Sequence, residues 1–266
     1  MNIVITGSTK GIGLALAKEF LRYGDNVVIS SRNQELVEQR VNELKEKFPK
    51  NEIYGTKCDV TIVEDIEELA SFAKENLKII DFWINNAGTN GGEFKELTEV
   101  SDNTLKTVLT TNLLGTLRGT KIALNLMKPQ GKGHIFNMAG WGVGGRPSPK
   151  LVVYGASKAS VPQLTKSLVK ETKKYNVGIH YLNPGMIVTE FLAQHVNKES
   201  AKIFNILAEK PEEPVKYLVK KIRKIKGTGK SLSYSSSLKI FWKFMTASKR
   251  KNRFFDEEGK PLIEIE

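Results

Sequence analysis

The first 190 or so residues alternate β-type apolar runs with stretches of helical apolar spacing, and this alternation constrains the fold most. The β-type runs are Asn2–Thr6, Asn26–Ser31, Glu52–Lys57, Ile79–Ile84, Gly133–Met138 and Val177–Leu182. The helical stretches include Leu14–Arg22, Gln34–Phe48, Val63–Asn76 and Leu105–Leu126. Strands that alternate with helices form right-handed βαβ units around a parallel sheet. The sequence therefore predicts an α/β fold whose strand ends line one edge of a parallel sheet.

A glycine-rich turn joins the first strand to the first helix. It reads Gly7-Ser8-Thr9-Lys10-Gly11-Ile12-Gly13. Gly7 permits a tight turn, while Gly11 and Gly13 leave room for a pyrophosphate and for close packing of helix on strand. The helix N-terminus presents free N–H groups to phosphate oxygens. A plain βα turn is the alternative, but the strand–turn–helix setting favours a dinucleotide site.

The second strand ends in Ser31, Arg32 and Asn33, with no acidic residue. An acid near this position suits the ribose hydroxyls of NAD, whereas an arginine suits the 2′-phosphate of NADP. Arg32 and Lys10 are placed to reach the same phosphate, although Arg32 is otherwise an ordinary solvated side chain. We therefore predict NADP(H) as the cofactor.

Other polar and glycine residues follow later strands, where ligands bind in open α/β sheets. They are Asp59, Val60, Asn86, Ala87, Gly88, Pro184, Gly185 and Thr189. We expect these residues to line the same cofactor site. The stretch Thr189–Glu209 is expected to be helical and to cover the site as a lid.

Tyr154 and Lys158 lie four residues apart in a predicted helix, so they share one face. A cation beside a phenol favours the phenolate and lowers the pKa of the phenol. We interpret the pair as a proton donor and acceptor that works near neutral pH, although such pairs are often only solvated. Asn112, a polar residue on an apolar helix, either holds a water or carbonyl in the site or is a structural asparagine.

Taken in order, these motifs resemble the short-chain dehydrogenase/reductase family. The matching residues are Thr6, Gly7, Gly11, Gly13, Asp59, Asn85-Asn86-Ala87-Gly88, Asn112, Tyr154, Lys158 and Pro184-Gly185. The resemblance implies a doubly wound, Rossmann-type sheet of about seven strands with helices on both faces. It also implies hydride transfer to or from a nicotinamide, and a homo-oligomer, either a dimer or a tetramer.

The resemblance also assigns roles to individual residues. By it, Tyr154 is the general acid, Lys158 lowers its pKa and holds the nicotinamide ribose, and Asn112 anchors a proton-relay water. Asp59 binds the adenine, and the segment 86–88 lines the cofactor.

The sequence departs from the family pattern at one position in the site. The family has a serine after the fifth strand that hydrogen-bonds the substrate carbonyl, and here that position falls at Gly140, or at Trp141 after a shift of one residue. Loss of such a donor costs on the order of 10²–10³ in rate unless another group replaces it. A backbone N–H of the loop and Ser148 are the candidates. Pro162 is expected to kink the helix that carries Tyr154.

A narrower resemblance, to chlorophyll b reductases of the same superfamily, covers more of the chain. It rests on His134-Ile135-Phe136-Asn137-Met138, on Pro184-Gly185-Met186 and on segments of the C-terminal half such as Arg253-Phe254-Phe255-Asp256. It implies NADPH-dependent reduction of a tetrapyrrole formyl group to hydroxymethyl, with Gly140 and Trp141 near the substrate. Two alternatives remain open: a reductase or dehydrogenase of a lipid or steroid-like alcohol, and a non-catalytic NADP-binding regulatory protein.

Composition limits the classes of protein to which the chain can belong. One cysteine, Cys58, excludes an internal disulfide, and no run approaches the roughly 20 apolar residues of a membrane span. Met1 leads directly into the first strand, which argues against a signal peptide and favours a cytoplasmic protein. We expect no metal site.

The net charge of +12 is concentrated near the C-terminus. Between Lys210 and Arg253, fourteen Lys and Arg stand against two acids, so this segment carries the whole excess. We expect a catalytic NADP-binding domain at 1–210 and a basic extension at 211–266 packed on the same domain. Residues 238–250 are amphipathic if helical, with Lys239, Lys243 and Arg250 opposite the apolar face. This pattern fits peripheral membrane contact through 235–253, or a helix packed on protein with solvated lysines. No nucleic-acid-binding fold accompanies the charge, so we expect no nucleic-acid partner.

Overall fold

The computed structural model describes residues 1–189, 193 and 196–264. Within them, seven strands form one sheet in the order β3-β2-β1-β4-β5-β6-β7, and every neighbouring pair is parallel. The strands are β1 (Asn2–Ile5), β2 (Asn26–Ser31), β3 (Ile53–Lys57), β4 (Phe82–Asn85), β5 (His134–Met138), β6 (Gly178–Asn183) and β7 (Ser231–Ser233). The strand order reverses at β1, which places a crevice outside the carboxyl ends of β1 and β4. The predicted Rossmann-type parallel sheet is confirmed.

Helices cover both faces of this sheet. They are α1 (Gly11–Arg22), α2 (Gln34–Lys47), α3 (Val63–Leu77), α4 (Asp102–Val108), α5 (Gly115–Gln130), α6 (Val152–Glu171), α7 (Lys198–Leu207), α8 (Glu212–Ile222) and α9 (Ser237–Met245). One core joins the sheet to α1, α2 and α8, and a second joins the other face to α3 and α5. Because both faces are covered, the central strands are nearly continuous apolar runs.

The predicted helix Leu105–Leu126 differs from the structure in its register. The helical region runs from Asp102 to Gln130, but residues Leu109–Leu114 form a π-helical turn between α4 and α5. A π-turn inserts one residue into the helix and is frequent at functional sites. Apolar periodicity does not reveal such an insertion, because the helix continues on both sides of it.

The structure also defines three further segments. The helix α6 runs from Val152 to Glu171 and includes Pro162, and the expected kink there stays a prediction. Of the expected helix Thr189–Glu209, the structure shows Lys198–Leu207, while 190–192 and 194–195 lie outside the described residues. The last strand, β7, ends at Ser233, and the Ser236 hydroxyl accepts a hydrogen bond from the N–H of Lys239 and so caps α9. Among the described helices, none is long and apolar enough to cross a membrane.

Candidate active site

A cavity of about 880 Å³ opens at the carboxyl ends of the strands, beside the glycine turn. Nearly all of the predicted cofactor residues line it: Gly7, Thr9, Lys10, Gly11, Ile12, Gly13, Ser31, Arg32, Asp59, Val60, Asn86, Ala87, Gly88, Tyr154, Lys158, Pro184, Gly185 and Thr189. Ser8 and Asn33 do not. The Ser8 hydroxyl donates to the carbonyl of Ile5, and Asn33 Oδ1 accepts from the N–H of Leu36 and caps α2. These side-chain contacts shape the turns around the cavity, and a cofactor contact of either residue stays a prediction.

The glycine turn has the geometry that a pyrophosphate requires. Gly7 and Gly11 adopt positive φ angles of 62° and 56°, and a Cβ on Gly13 would lie 2.3 Å from the carbonyl oxygen of Gly7. Helix α1 begins at Gly11, and no described side chain caps its N-terminus. Its first N–H groups are therefore available to an anion in the cavity.

Thr6 and Asn86 hold this turn against the end of β4. The Thr6 hydroxyl accepts from the N–H groups of Asn86 and Ala87, at 3.0 and 3.1 Å. Asn86 Nδ2 donates to the carbonyls of Thr6 and Gly7, at 3.0 and 2.8 Å. The Asn86 side chain thus fixes the two loops that form the crevice.

Tyr154 and Lys158 lie on the cavity face of α6, as the sequence predicts. Lys158 Nζ donates to the carbonyl of Met138 at 3.1 Å and lies 6.0 Å from the centre of the Tyr154 ring. Burial raises the pKa of Tyr154 to about 12 and lowers the pKa of Lys158 to about 8. The expected lowering of the phenol pKa is therefore not observed, and burial is the cause of the raised value. A raised pKa favours the protonated phenol at neutral pH.

Asn112 lies in the π-turn, is fully buried and does not line the cavity. Its Oδ1 accepts from the N–H of Thr89 at 2.8 Å, and its Nδ2 donates to the carbonyl of Thr89 and to the hydroxyl of Ser157, at 2.8 and 3.0 Å. Asn112 therefore ties the loop after β4 to helix α6. These contacts make it a positioning residue for the Tyr154 and Lys158 helix.

Gly140 and Trp141 are the two candidate positions for the absent serine. A Cβ built on Gly140 would lie 2.6 Å from the hydroxyl oxygen of Tyr154, whereas Trp141 is 40% exposed and donates its Nε1–H to the carbonyl of Pro147. The alignment of the missing hydroxyl with Gly140 stays a prediction. The Gly140 backbone lies so close to the Tyr154 hydroxyl that any side chain at this position would require the tyrosine to shift.

The end of the cavity away from the glycine turn is lined by apolar side chains that the sequence analysis did not assign to a site. Ile203, Phe204 and Leu207 project from α7, and Ile240 projects from α9. Spacings of three and four residues in α7 place its three residues on one face. That spacing is the signal that would have identified them within the proposed lid.

Glu209 connects the lid to the basic C-terminal segment. Its carboxylate is paired with Lys243 at 2.8 Å, Arg253 at 2.9 Å and Arg250 at 3.2 Å. Although burial of the carboxyl opposes ionisation, hydrogen bonds from Lys243 and Arg253 hold the pKa of Glu209 at about 2. The same cations donate to carbonyls at the C-terminal end of α7, including the Lys243 bond to Leu207 at 2.6 Å. The basic residues thus cap α7.

The expectation of a solvated face made by Lys243 and Arg250 is therefore wrong. Lys243 is 4% exposed and lines the cavity, and both side chains point at Glu209. The charge pattern of a short helix does not predict which face packs against the protein. Here the buried Glu209 carboxylate holds the basic face of α9 inward.

Comparison with known proteins agrees with the fold. The family model for the short chain dehydrogenase matches residues 1–200. Chlorophyll(ide) b reductase NOL of Arabidopsis thaliana is 47% identical over 97% of this chain and 77% of the plant protein. Probable chlorophyll(ide) b reductase NYC1 of Oryza sativa subsp. japonica is 42% identical over 100% of this chain. This chain spans 56% of the length of that rice protein.

Two solved structures share the fold with a dinucleotide bound. An actinorhodin polyketide ketoreductase variant with NADPH has a TM-score of 0.77 and 27% identity, over 90% of this chain and 97% of that one. An alcohol dehydrogenase of Thermococcus sibiricus with 5-hydroxy-NADP has a TM-score of 0.74 and 25% identity, over 89% and 96%. The glycine turn, the tyrosine and lysine of α6, the sheet order and these similarities lead to one conclusion: the chain belongs to the short chain dehydrogenase family and has the site for a nicotinamide cofactor.

Proposed function

We propose that this protein reduces the formyl group of a chlorophyll b-type tetrapyrrole to hydroxymethyl, with NADPH as the reductant. The observation that carries the proposal is the similarity to plant chlorophyll(ide) b reductases across the whole chain, including the C-terminal segment outside the family model. The apolar side chains at the far end of the cavity suit a large apolar substrate.

The preference for NADPH rests on the charges at the end of β2. Arg32 and Lys10 line the same cavity, and Ser31-Arg32-Asn33 contains no carboxylate that would repel a 2′-phosphate. The N–H groups at the start of α1 face the pyrophosphate position.

The residues of the chain supply the proton and its placement. A bound reduced nicotinamide supplies the hydride to the carbonyl carbon. Tyr154 donates its phenolic proton to the carbonyl oxygen, and its raised pKa keeps that proton in place until the oxygen gains charge. Lys158 lies within the same buried face and stabilises the phenolate that remains.

The test is turnover of chlorophyllide b with NADPH, followed by chromatography of the hydroxymethyl product. Tyr154→Phe should lower kcat by roughly 10²–10⁴ without unfolding the protein. Tyr175→Phe is the matched control, because Tyr175 packs beneath Lys128 and Lys174 outside the cavity. Unchanged turnover in Tyr154→Phe would remove Tyr154 as the acid.

The same assay distinguishes the alternatives. Oxidation of NADPH by lipid or steroid-like ketones, but not by formyl tetrapyrroles, would replace the substrate class. Tight NADPH binding without oxidation by any aldehyde or ketone would support a regulatory NADP-binding protein, the role that the missing hydroxyl at Gly140 favours. A dimer or tetramer, a cytoplasmic location and the division at residue 210 stay predictions.

A further inference from the structure

Helix α9 turns its apolar face to solvent and its charged face to the protein. Leu238, Phe241, Trp242 and Met245 are 57–67% exposed, and their spacing of three and four residues places them on one side of the helix. On the inner side, Lys243 is buried against Glu209, and Ile240 lines the cavity. This is the reverse of the usual arrangement of a surface helix.

The cluster around Glu209 fixes this orientation. Lys243 forms its ion pair at 2.8 Å and also donates to the carbonyl of Leu207. If α9 rotated to bury Trp242 and Phe241, Lys243 would move away from Glu209. The buried Glu209 carboxylate would then lose one of its ion-pair partners, which would destabilise the fold. The exposed apolar face is therefore held outward by the fold.

The charges around this face favour an anionic surface as its partner. The segment from Lys210 to Arg253 holds fourteen basic residues and two acids, whereas the Glu209 carboxylate neutralises only part of this excess. A second copy of the chain would bring an equally positive segment to the same face, and the two would repel each other. An apolar helix face carried by a strongly basic segment matches a bilayer that contains acidic lipids.

We propose that the exposed face of α9 inserts into the headgroup region of an anionic lipid bilayer. The rings of Phe241 and Trp242 enter the apolar boundary, while basic residues of the same segment contact the acidic headgroups. Because Ile240 and Lys243 line the cavity from the inner side of α9, docking holds the cavity about one helix diameter, roughly 10 Å, from the lipid. The proposal concerns docking alone and does not depend on the reaction proposed above.

The experiment is co-sedimentation of the full chain with vesicles of phosphatidylcholine, with and without about 30% phosphatidylglycerol. We expect binding to the anionic vesicles, weaker binding to the neutral ones, and loss of binding as salt screens the charges. The double variant Phe241→Ser/Trp242→Ser should bind anionic vesicles at least roughly tenfold more weakly, since it removes two apolar rings from the interface.

The matched control is Tyr23→Ser/Ile79→Ser, which removes two exposed apolar side chains at the opposite edge of the sheet, near the N-terminal ends of β2 and β4. It should bind like the parent chain. Both variants must keep the parent's circular dichroism spectrum and NADPH affinity, which shows that they are folded. A blue shift of Trp242 fluorescence on anionic vesicles, in a Trp141→Phe background, is a second expected readout, because Trp83 is fully buried already.

Three results would overturn the proposal. The first is equal binding of the parent and the Phe241→Ser/Trp242→Ser variant, and the second is no binding of the parent. The third is a parent dimer that this variant converts to a monomer without any lipid binding, which would assign the face to a second copy.

Discussion

Removal of the Glu209 carboxylate should destabilise the protein, since three cations converge on it. The pKa of Glu209 is held at about 2, about 2.5 units below its ordinary value, and each unit corresponds to about 1.4 kcal/mol. Arg250 and Arg253 keep partial contact with water, with 22% and 28% of their side chains exposed. Solvent screening lowers this free energy. We therefore expect Glu209→Gln to lower the free energy of unfolding by roughly 2–3 kcal/mol, towards the low end for a broken buried ion pair.

The loss should appear as a fall in Tm of roughly 4–12 °C at pH 7 for a chain of this size. Because the folded carboxyl has a lowered pKa, its contribution is present above pH 4.5 and is lost as the pH falls towards 2. The difference between parent and variant should therefore shrink through that window. Trypsin should also cleave the segment 239–253 faster in the variant, because the arm loses its anchor.

Glu258→Gln is the matched control for this experiment. Glu258 pairs with Lys198 at 2.8 Å, but both side chains are mostly exposed, at 60% and 72%, and such pairs contribute little. Equal effects of the two substitutions on Tm and on cleavage would refute the assignment of Glu209 as the anchor of the C-terminal segment.

Three further predictions follow from individual contacts. Gly140→Ala should lower kcat about 10²-fold, because a Cβ 2.6 Å from the Tyr154 hydroxyl displaces it. Gly140→Ser should lower kcat at least as much, and higher activity in the serine variant would contradict the steric argument. Arg32→Ala should raise KM for NADPH roughly 10- to 100-fold, the loss of a charge-assisted hydrogen bond, and leave KM for NADH unchanged; equal effects on the two cofactors would exclude the 2′-phosphate contact. Burial lowers the pKa of His180 to about 3, so the neutral ring stabilises the fold above pH 6.5. Between pH 6.5 and 4.5, Tm should therefore fall less steeply in His180→Gln than in the parent. The same slope in both proteins would show that His180 does not titrate on unfolding.

The sequence predicts the sheet and the cofactor half of the cavity well, because both depend on local signals. Apolar runs define the strands to within a few residues, and Gly7, Gly11 and Gly13 require backbone conformations that few other residues allow. The pairing of Tyr154 with Lys158 follows from helix periodicity. These features need no knowledge of distant parts of the chain.

The part of the cavity lined by α7 and α9 depends on contacts between distant segments, and the sequence predicts these contacts less well. Glu209 and Lys243 are 34 residues apart, and nothing local to either residue indicates that they form a buried pair. The pKa of Tyr154 likewise depends on how much water the surrounding loops exclude. Asn33 looked like a cofactor residue because of its place after β2, yet its side chain serves the N-terminus of α2.

The π-turn at Leu109–Leu114 has a consequence for which sequence changes the site tolerates. One inserted residue advances everything after it by about 100° around the helix axis, so α4 and α5 present faces that a regular helix would not align. Deletion of a single residue such as Thr110 would restore regular winding. Asn112 would then swing away from Thr89 and Ser157, and either α4 or α5 would turn polar side chains towards the core. A deletion of one residue in this turn is therefore expected to be more damaging than most substitutions there.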